Sequence, residues 1–321
     1  MKAATPLRRG ARVYVAGHRG LVGSAIVRRL RTEGLTNLVM RTHAELDLRD
    51  QRAVEAFFAR ERPEYVVLAA ARVGGILANA QRPADFILEN LLIATNVIQA
   101  AHASNVLKLL NLGSSCIYPK HAPQPIAESS LLTGPLEPTN RAYAVAKIAA
   151  IELCDALRTQ HGRSFVSAMP TNLYGPGDNF DLETSHVLPA LVRKVIEAND
   201  TGAPSVSVWG SGNPRREFLY VDDLADACLF LLERFDEPGP INVGTGTDVT
   251  IRELARIIAE VVGFDGEFVF DPTKPDGTPR KLLDTGRLQE LGWRPSTTLR
   301  DGIERTVAWY RKHRDQRFRD A

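Results

Sequence analysis

The chain is poor in cysteine, with three in 321 residues, and equally poor in methionine and tryptophan. Cys116, Cys154 and Cys228 are too few and too scattered for a disulfide framework or a paired-cysteine metal site. Their odd number suits a reducing cytoplasm, the expected location. No run approaches the ~20 apolar residues of a membrane-spanning helix. The opening MKAATPLRRGARVYVAG is basic but lacks the apolar stretch of a secretory signal. Nor is there an excess of charge of one sign, since 40 Lys and Arg face 38 Asp and Glu for a net +2. That balance argues against a nucleic-acid or membrane protein recruited by bulk charge. Internal repeats and low-complexity linkers are missing as well. What remains is an ordinary composition, 44% hydrophobic and 24% charged, in a chain long enough for one large α/β domain or two modest ones.

From residue 12 to about 115 short apolar runs alternate with helical patterns. RVYVAG precedes a helix over Leu21 to Arg31, then come NLVM, a helix near Gln51–Arg60 and the run EYVVLAAA. A long helix from about Pro83 to Ala103 and the run LKLLNLGSS close the series. Strands alternating with helices predict a parallel sheet covered on both faces. The fold class is therefore α/β, a Rossmann-type doubly wound parallel sheet with a smaller mixed α/β substrate domain. Residues 117–140 carry five of the 19 prolines and read as a loop over the strand ends. A helix follows over about Arg141 to Gln160, then SFVSAMPTNLYG as a strand running into a turn. Later helices are expected near 187–198, 222–235, 250–262 and 300–313, with strands at SVSVW, INVG and EFVF. The division expected is a nucleotide-binding domain over 10–178, with returning segments near 214–245, and a substrate domain from 179–213 and 246–321.

VAGHRGLVGSAI places Gly17, Gly20 and Gly23 between the first strand and the first helix. Glycines let the backbone turn tightly and approach a pyrophosphate, and the helix N-terminus supplies free N–H groups and a positive dipole. The trio alone is a weak signal, which its position strengthens. The loop from Gly17 through His18, Arg19, Gly20, Leu21 and Val22 to Gly23 is the candidate dinucleotide site. NAD-selective sites place an acid at the end of the second strand, whereas a basic residue accommodates a 2′-phosphate. Here the strand end reads MRTHAE, with Arg41 and His43 and no acid directly at the end, and Arg19 offers a second positive charge. NADP is favoured. The bland alternative is that Arg41 is a solvated surface charge.

Tyr143 and Lys147 stand at i and i+4 of a predicted helix, so they share one face. An ammonium there favours the phenolate and lowers a pKa that starts near ~10. Such a tyrosine can pass a proton to a carbonyl oxygen as hydride reaches its carbon. Ser114, at a strand end, is the candidate second donor to that oxygen. The pair by itself is frequent on helices and is often only an exposed contact. With the glycine loop and the strand-end serine it becomes specific, and the combination resembles the extended short-chain dehydrogenase/reductase superfamily.

Dehydratase relatives in that superfamily follow their hydroxyl residue with Asp-Glu. Here Ser115, Cys116 and Ile117 follow, which disfavours sugar dehydration. A thiol is ionised more readily beside a cation, so Cys116 is a candidate acid/base for carbons next to a ketone. Moving a proton to the opposite face needs a second group, and His186, just before a helix, titrates near neutral pH. The alternatives stay open: a buried cysteine often acts as a small hydrophobe, and His186 can be a helix-terminal neighbour.

The stretches AGHRGLVGSAI, LGSSCIYPK, MPTNLYGPGDNF, INVGTGTDVTIREL and KPDGTPRKLLD resemble the GDP-L-fucose synthases. These are bifunctional 3,5-epimerase/4-reductases acting on GDP-4-keto-6-deoxy-D-mannose, and the likeness runs from about Arg12 nearly to the end. It implies reduction by Ser114, Tyr143 and Lys147, epimerisation by Cys116 and His186, and no metal. It also implies Asn172, Leu173, Lys147 and His186 beside NADPH, and Arg193, Lys194, Trp209, Arg216, Asp276 and Lys281 around the GDP-sugar. A homodimer through the helices near 83–103 and 141–160 is a further implication. His43 and Lys194 depart from the arginines expected in the family. Two rival functions are a nucleotide-sugar 4-epimerase that retains its NAD, which has no need for the Cys116–His186 pair, and a non-catalytic NADP sensor, which has no need for Tyr143 and Lys147.

Overall fold

The computed structural model describes residues 7–274 and 276–317; the sequence opening 1–6, residue 275 and the final residues 318–321 of the expected substrate domain lie outside the described residues. β1 (Val13–Ala16) leads through the glycine loop into α1 (Leu21–Thr32), followed by β2 (Leu38–Val39), α2 (Gln51–Glu61) and β3 (Tyr65–Leu68). A short α3 (Ile76–Gln81) precedes the long α4 (Pro83–Ala103), then β4 (Lys108–Leu112), α5 (Arg141–His161) and β5 (Ser164–Pro170). Next come β6 (Asn172–Tyr174), α6 (Val187–Thr201), β7 (Ser205–Trp209), β8 (Arg215–Arg216), β9 (Phe218–Tyr220), α7 (Val221–Arg234) and β10 (Pro240–Val243). β11 (Val249–Thr250), α8 (Ile251–Val262), β12 (Glu267–Asp271), β13 (Arg280–Lys281), α9 (Gly286–Glu290) and α10 (Leu299–Arg317) complete the chain.

Six strands form one sheet in the order β10-β5-β4-β3-β1-β2, every neighbouring pair parallel. β1, β3 and β4 are buried along their whole length, as strands covered on both faces must be. One face packs on α1 and α7 through Ile26, Leu30, Leu224 and Leu231. The other packs on α2, α4 and α5 through Phe57, Phe58, Val97, Ile98 and Cys154. Each such apolar side chain contributes about 1.5–3 kcal/mol by leaving water. β2 lies on one side of β1 and β3 on the other. That reversal of strand order opens a crevice at the carboxyl ends, where open α/β sheets bind ligands.

A second core gathers Leu191 and Val192 of α6, Leu254 and Ile258 of α8, and Ile303 of α10 against Val206 and Val208 of β7. Short strands accompany it: β11-β8-β13 form a three-stranded sheet, and β12-β7 and β6-β9 form pairs. The structure departs from the sequence reading at SFVSAMPTNLYG, which is two strands and not one. Thr171 breaks it, its N–H donating to the Val243 carbonyl at 3.0 Å and its hydroxyl to the Glu217 carbonyl at 3.3 Å. The chain thereby leaves the large sheet, and β6 pairs with β9. Among the described residues, no helix is long and apolar enough to cross a membrane.

Candidate active site

The glycine loop sits at the switch point. Gly17 has φ +83°, and a Cβ there would lie 2.7 Å from the Ala70 backbone nitrogen beyond β3. At Gly23 a Cβ would meet the Gly17 carbonyl oxygen at 2.1 Å. Side chains at these two positions would fill the turn that leads into α1. Gly20 caps α1 without a side-chain bond, leaving first-turn N–H groups for an anion. His18 carries a buried Nδ1 with no hydrogen-bond partner. A tight backbone cradle, an uncapped helix end and an orphaned polar nitrogen together fit a bound pyrophosphate. Burial, and then the Arg19 charge, hold the His18 imidazole below its ordinary pKa.

At the end of β2, Arg41 is not the solvated charge of the bland alternative. Its guanidinium donates to Glu61 Oε1 at 2.7 Å and to the Met40 carbonyl at 2.7 Å, and lies 5.6 Å from the Phe57 ring centroid. Glu61 reaches it from α2 and also receives Arg12 and Arg60. Arg19 is exposed, and so is His43, 3.6 Å from Asp47.

Ser114 follows β4 and Gly113, opening a short 3₁₀ turn over Ser115–Ile117. Its Oγ accepts the Cys116 N–H at 3.4 Å. The same side chain lies close enough to the Tyr143 hydroxyl and the Cys116 thiol to favour the ionised form of each. The first turn of α5 thus delivers Tyr143 onto Ser114, and one turn later Lys147 donates to the Leu112 carbonyl at 2.8 Å, with its Nζ 5.7 Å from the Tyr143 ring. Lys147 is buried, and burial lowers its pKa to about 8, the Cys116 charge opposing the shift. The phenol moves the other way from the sequence expectation. Burial, and next the Cys116 charge, push it up, and the Ser114 hydrogen bond only partly offsets them. Tyr143 is therefore protonated at neutral pH, as a proton donor must be.

Cys116 is 7% exposed, and burial raises its pKa against the pull of Lys281, Ser114 and Lys147. The cations expected beside the thiol are present, but in the free protein desolvation prevails. His186 is the N-cap of α6, with no side-chain capping bond, and its residue surface is exposed. Restricted hydration, then the Lys281 ammonium, hold its imidazole below the ordinary value. Lys281 therefore acts electrostatically on both Cys116 and His186.

The expected substrate residues fall into groups. Lys194 donates to the Ser207 carbonyl at 3.1 Å and stands 5.9 Å from the Trp209 ring centroid, so these two belong together. Trp209 is 53% exposed. Asp276 ties the neighbouring turn, accepting from Ser211 N at 2.7 Å and Ser211 Oγ at 2.8 Å. Arg216 and Lys281 stand opposite each other in the β8–β13 ladder. Arg193 donates to Glu197 at 2.7 Å and to the Phe180 carbonyl at 3.2 Å, contacts that do not include it in the Lys194–Trp209 group. The Asn172 amide donates to the Glu217 carbonyl at 2.8 Å, and Leu173 packs against the main core.

Sequence reasoning missed three polar residues of this region. Asn140, just before α5, lines a cavity with Cys116 and Lys281 and has an unpartnered buried Oδ1. Glu137 lines the same cavity and pairs with Lys120 at 3.0 Å. Glu217, fully buried, accepts backbone N–H groups from Thr245, Gly246 and Leu283. The proximity of Asn140 to the Tyr143 motif was a usable signal; the other two depend on chain crossings that no motif records. Among the described residues, no group of three or more His, Cys, Asp or Glu side chains could hold a metal ion.

The sheet, its glycine loop and the strand-end Ser-Tyr-Lys group are those of a Rossmann-type nucleotide-dependent enzyme. A family model described as the NAD dependent epimerase/dehydratase family matches residues 13–244, and the chain belongs to that family. It is 62% identical over 305 residues to GDP-L-fucose synthase 1 of Arabidopsis thaliana, covering 95% of this chain and 94% of that protein. Its identity to the GDP-L-fucose synthase of Escherichia coli (strain K12) is 57% over 317 residues, covering 96% and 98%. A solved structure of a GDP-L-fucose synthetase from Naegleria fowleri bound to NADP aligns with a TM-score of 0.91 at 31% identity, over 98% of this chain and 97% of that one.

Proposed function

We propose that the protein converts GDP-4-keto-6-deoxy-D-mannose to GDP-L-fucose, by epimerisation at C3 and C5 followed by reduction of the C4 ketone. The observation that carries this reading is that one side chain, Ser114, accepts the Cys116 N–H at 3.4 Å and acts on both the Tyr143 phenol and the Cys116 thiol. A ketoreductase needs the first partnership; a thiol on the same hydroxyl serves an enzyme that also moves protons beside the carbonyl. The high identity to proteins named GDP-L-fucose synthase supports the choice of substrate.

Ser114 and Tyr143 donate hydrogen bonds to the C4 oxygen, whose carbonyl acidifies the C3 and C5 hydrogens. At each centre a proton leaves to one member of the Cys116–His186 pair, charge moves onto the C4 oxygen, and a proton returns on the opposite face from the other member. The two hydroxyl donors stabilise that developing charge. Gly17 to Gly23, with Arg19, Arg41 and His43 toward the 2′-phosphate, would hold NADPH, which would supply the hydride for C4. Tyr143 gives its proton to the C4 oxygen, while Lys147, with Asn172, Leu173 and His186, would position the nicotinamide end of the cofactor. Arg216 and Lys281 neutralise the diphosphate, Lys194 and Trp209 pack along the nucleotide sugar, and Asp276 orders the loop beside them, with Arg193 bracing α6.

Residues 10–178, with the returning segments near 214–245, serve the cofactor; 179–213 and 246–321 serve the substrate. The working form is a homodimer joined through α4 and α5, whose Leu88 and Val145 are exposed. Three free buried cysteines suit the cytoplasm. The test is incubation with the ketosugar and NADPH in deuterated water. Stoichiometric NADPH oxidation with deuterium at C3 and C5 of a fucose product is the expected result; oxidation without exchange leaves a plain ketoreductase and overturns the epimerase half.

A further inference from the structure

Arg216 and Lys281 lie on β8 and β13, strands of two residues each, paired in parallel with Arg215 opposite Arg280 and Arg216 opposite Lys281. Strands this short have few ladder hydrogen bonds to fix their register. A carboxylate does it instead. Arg215 Nε donates to Asp248 Oδ1 at 2.8 Å, and Arg280 Nε donates to Asp248 Oδ2 at 2.5 Å. A second Arg215 nitrogen donates to the Asp248 carbonyl at 2.8 Å. Asp248 immediately precedes β11, which pairs antiparallel with β8 on the side away from β13. One side chain therefore spans all three strands. Its side chain is only 4% exposed, while Arg215 and Arg280 reach it from the surface at 39% and 43% exposed. Burial would push its carboxyl up, yet the hydrogen bonds from Arg280 and Arg215 prevail and hold it below the ordinary carboxylate range.

Strand neighbours alternate between faces. Turning Arg215 and Arg280 toward Asp248 sets Arg216 and Lys281 together on the other face. Glu217 locks the following residues, its N–H reaching the Lys281 carbonyl at 3.4 Å and its Oε2 accepting the Leu283 N–H at 3.0 Å. We propose that Asp248 is a positioning residue for substrate binding: by clasping Arg215 and Arg280 it fixes the register in which Arg216 and Lys281 meet a nucleoside diphosphate as a pair. This rests on the reading above that these two cations hold the diphosphate.

The sign of one measurement separates positioning from bulk electrostatics. Neutralising Asp248 strips Arg280 of this counter-charge and leaves Arg215 only Glu253 at 3.7 Å, so field strength alone would tighten anion binding; lost register weakens it. The experiment measures GDP affinity by calorimetry on the full chain for Asp248→Asn, Asp248→Ala, Arg216→Ala and Lys281→Ala, with NADPH affinity alongside and KM and kcat for the ketosugar. The expected result for both Asp248 variants is about tenfold weaker GDP binding, a matching rise in KM, a kcat within about twofold for reduction of a ketosugar already epimerised, and unchanged NADPH affinity. Unchanged or tighter GDP binding in both overturns the proposal. If Asp248→Ala also loses NADPH affinity through damage to the fold, Asp248→Asn decides, since it keeps the shape and removes the charge; equal loss of both ligands there overturns it too. If Arg216→Ala and Lys281→Ala bind GDP as the parent does, it is the diphosphate reading that fails.

Discussion

Lys147 donates its ammonium to the Leu112 carbonyl at 2.8 Å, two residues before the Ser114 whose side chain acts on the Tyr143 phenol. Strand end, serine and helix are thus tied at one point, and the tie is protonation-dependent. With burial lowering Lys147 to about 8, the ammonium is present below that pH and lost above it. The pH profile of kcat/KM reports groups of the free enzyme, so ketone reduction should fall as pH rises through about 8. Stability follows the opposite sign. Between about 8 and the ordinary lysine pKa the unfolded chain binds the extra proton, so folding gains as pH rises across that window. Lys147→Met should abolish the limb in reduction, and its melting temperature should exceed that of the parent most below pH 8. A profile with no limb near 8 in the parent would discard the assignment.

Cys116 shares Ser114 with Tyr143, and the proposed mechanism divides the chemistry between them. Cys116→Ser keeps the size of the group and removes the more acidic proton. Positioned acid/base groups contribute about 10²–10⁴-fold, so deuterium exchange at C3 and C5 should drop by about that range. Single-turnover hydride transfer to a ketosugar already epimerised should stay within about tenfold. Equal losses in both assays, with NADPH binding intact, would sink the division of labour.

Glu61 holds Arg41 at 2.7 Å against Phe57, a guanidinium set in place before any phosphate arrives. Removing a charge-assisted hydrogen bond costs about 1.5–3 kcal/mol. Arg41→Ala should therefore weaken NADPH binding by about tenfold or more, measured by nicotinamide fluorescence, with NADH binding nearly unchanged. Parallel losses for both cofactors would mean that Arg41 does not read the 2′-phosphate.

The residues that were legible in the sequence are those whose partners lie within one motif. The glycine loop needs only a strand and a helix on either side, and the Tyr143–Lys147 spacing needs only helical periodicity. α4 was expected over Pro83–Ala103 and is found there, because a long apolar helix opened by proline carries its own signal. β8, β11 and β13, at two residues each, are too short for any alternation to show. They exist because Asp248, beside β11, and Glu217, beside β8, tie together strands that come from distant parts of the chain. The phenol of Tyr143 illustrates the same limit in electrostatics: spacing exposed the neighbouring lysine but not the burial that outweighs it. α3 escaped notice because its sequence opens on two glycines and ends before Arg82 and Pro83, cues that read as a loop.

The loop glycines offer a paired steric test. A Cβ at Gly23 would stand 2.1 Å from the Gly17 carbonyl oxygen and 2.8 Å from the His18 Cα, all backbone that cannot swing aside. At Gly20 it would meet the Gly17 oxygen at 3.5 Å, an ordinary contact, with φ at −74°. Overpacking of this kind costs about 1–3 kcal/mol or more, and here the displaced atoms belong to the turn proposed to cradle the pyrophosphate. Gly23→Ala should lose NADPH affinity by about a hundredfold and melt several degrees lower, since about 1 kcal/mol moves the midpoint by a few degrees in a chain this size. Gly20→Ala should keep the parent's melting temperature within about two degrees. Both readouts are needed: a Gly23→Ala protein that melts low but binds NADPH normally would place the cofactor elsewhere than this turn.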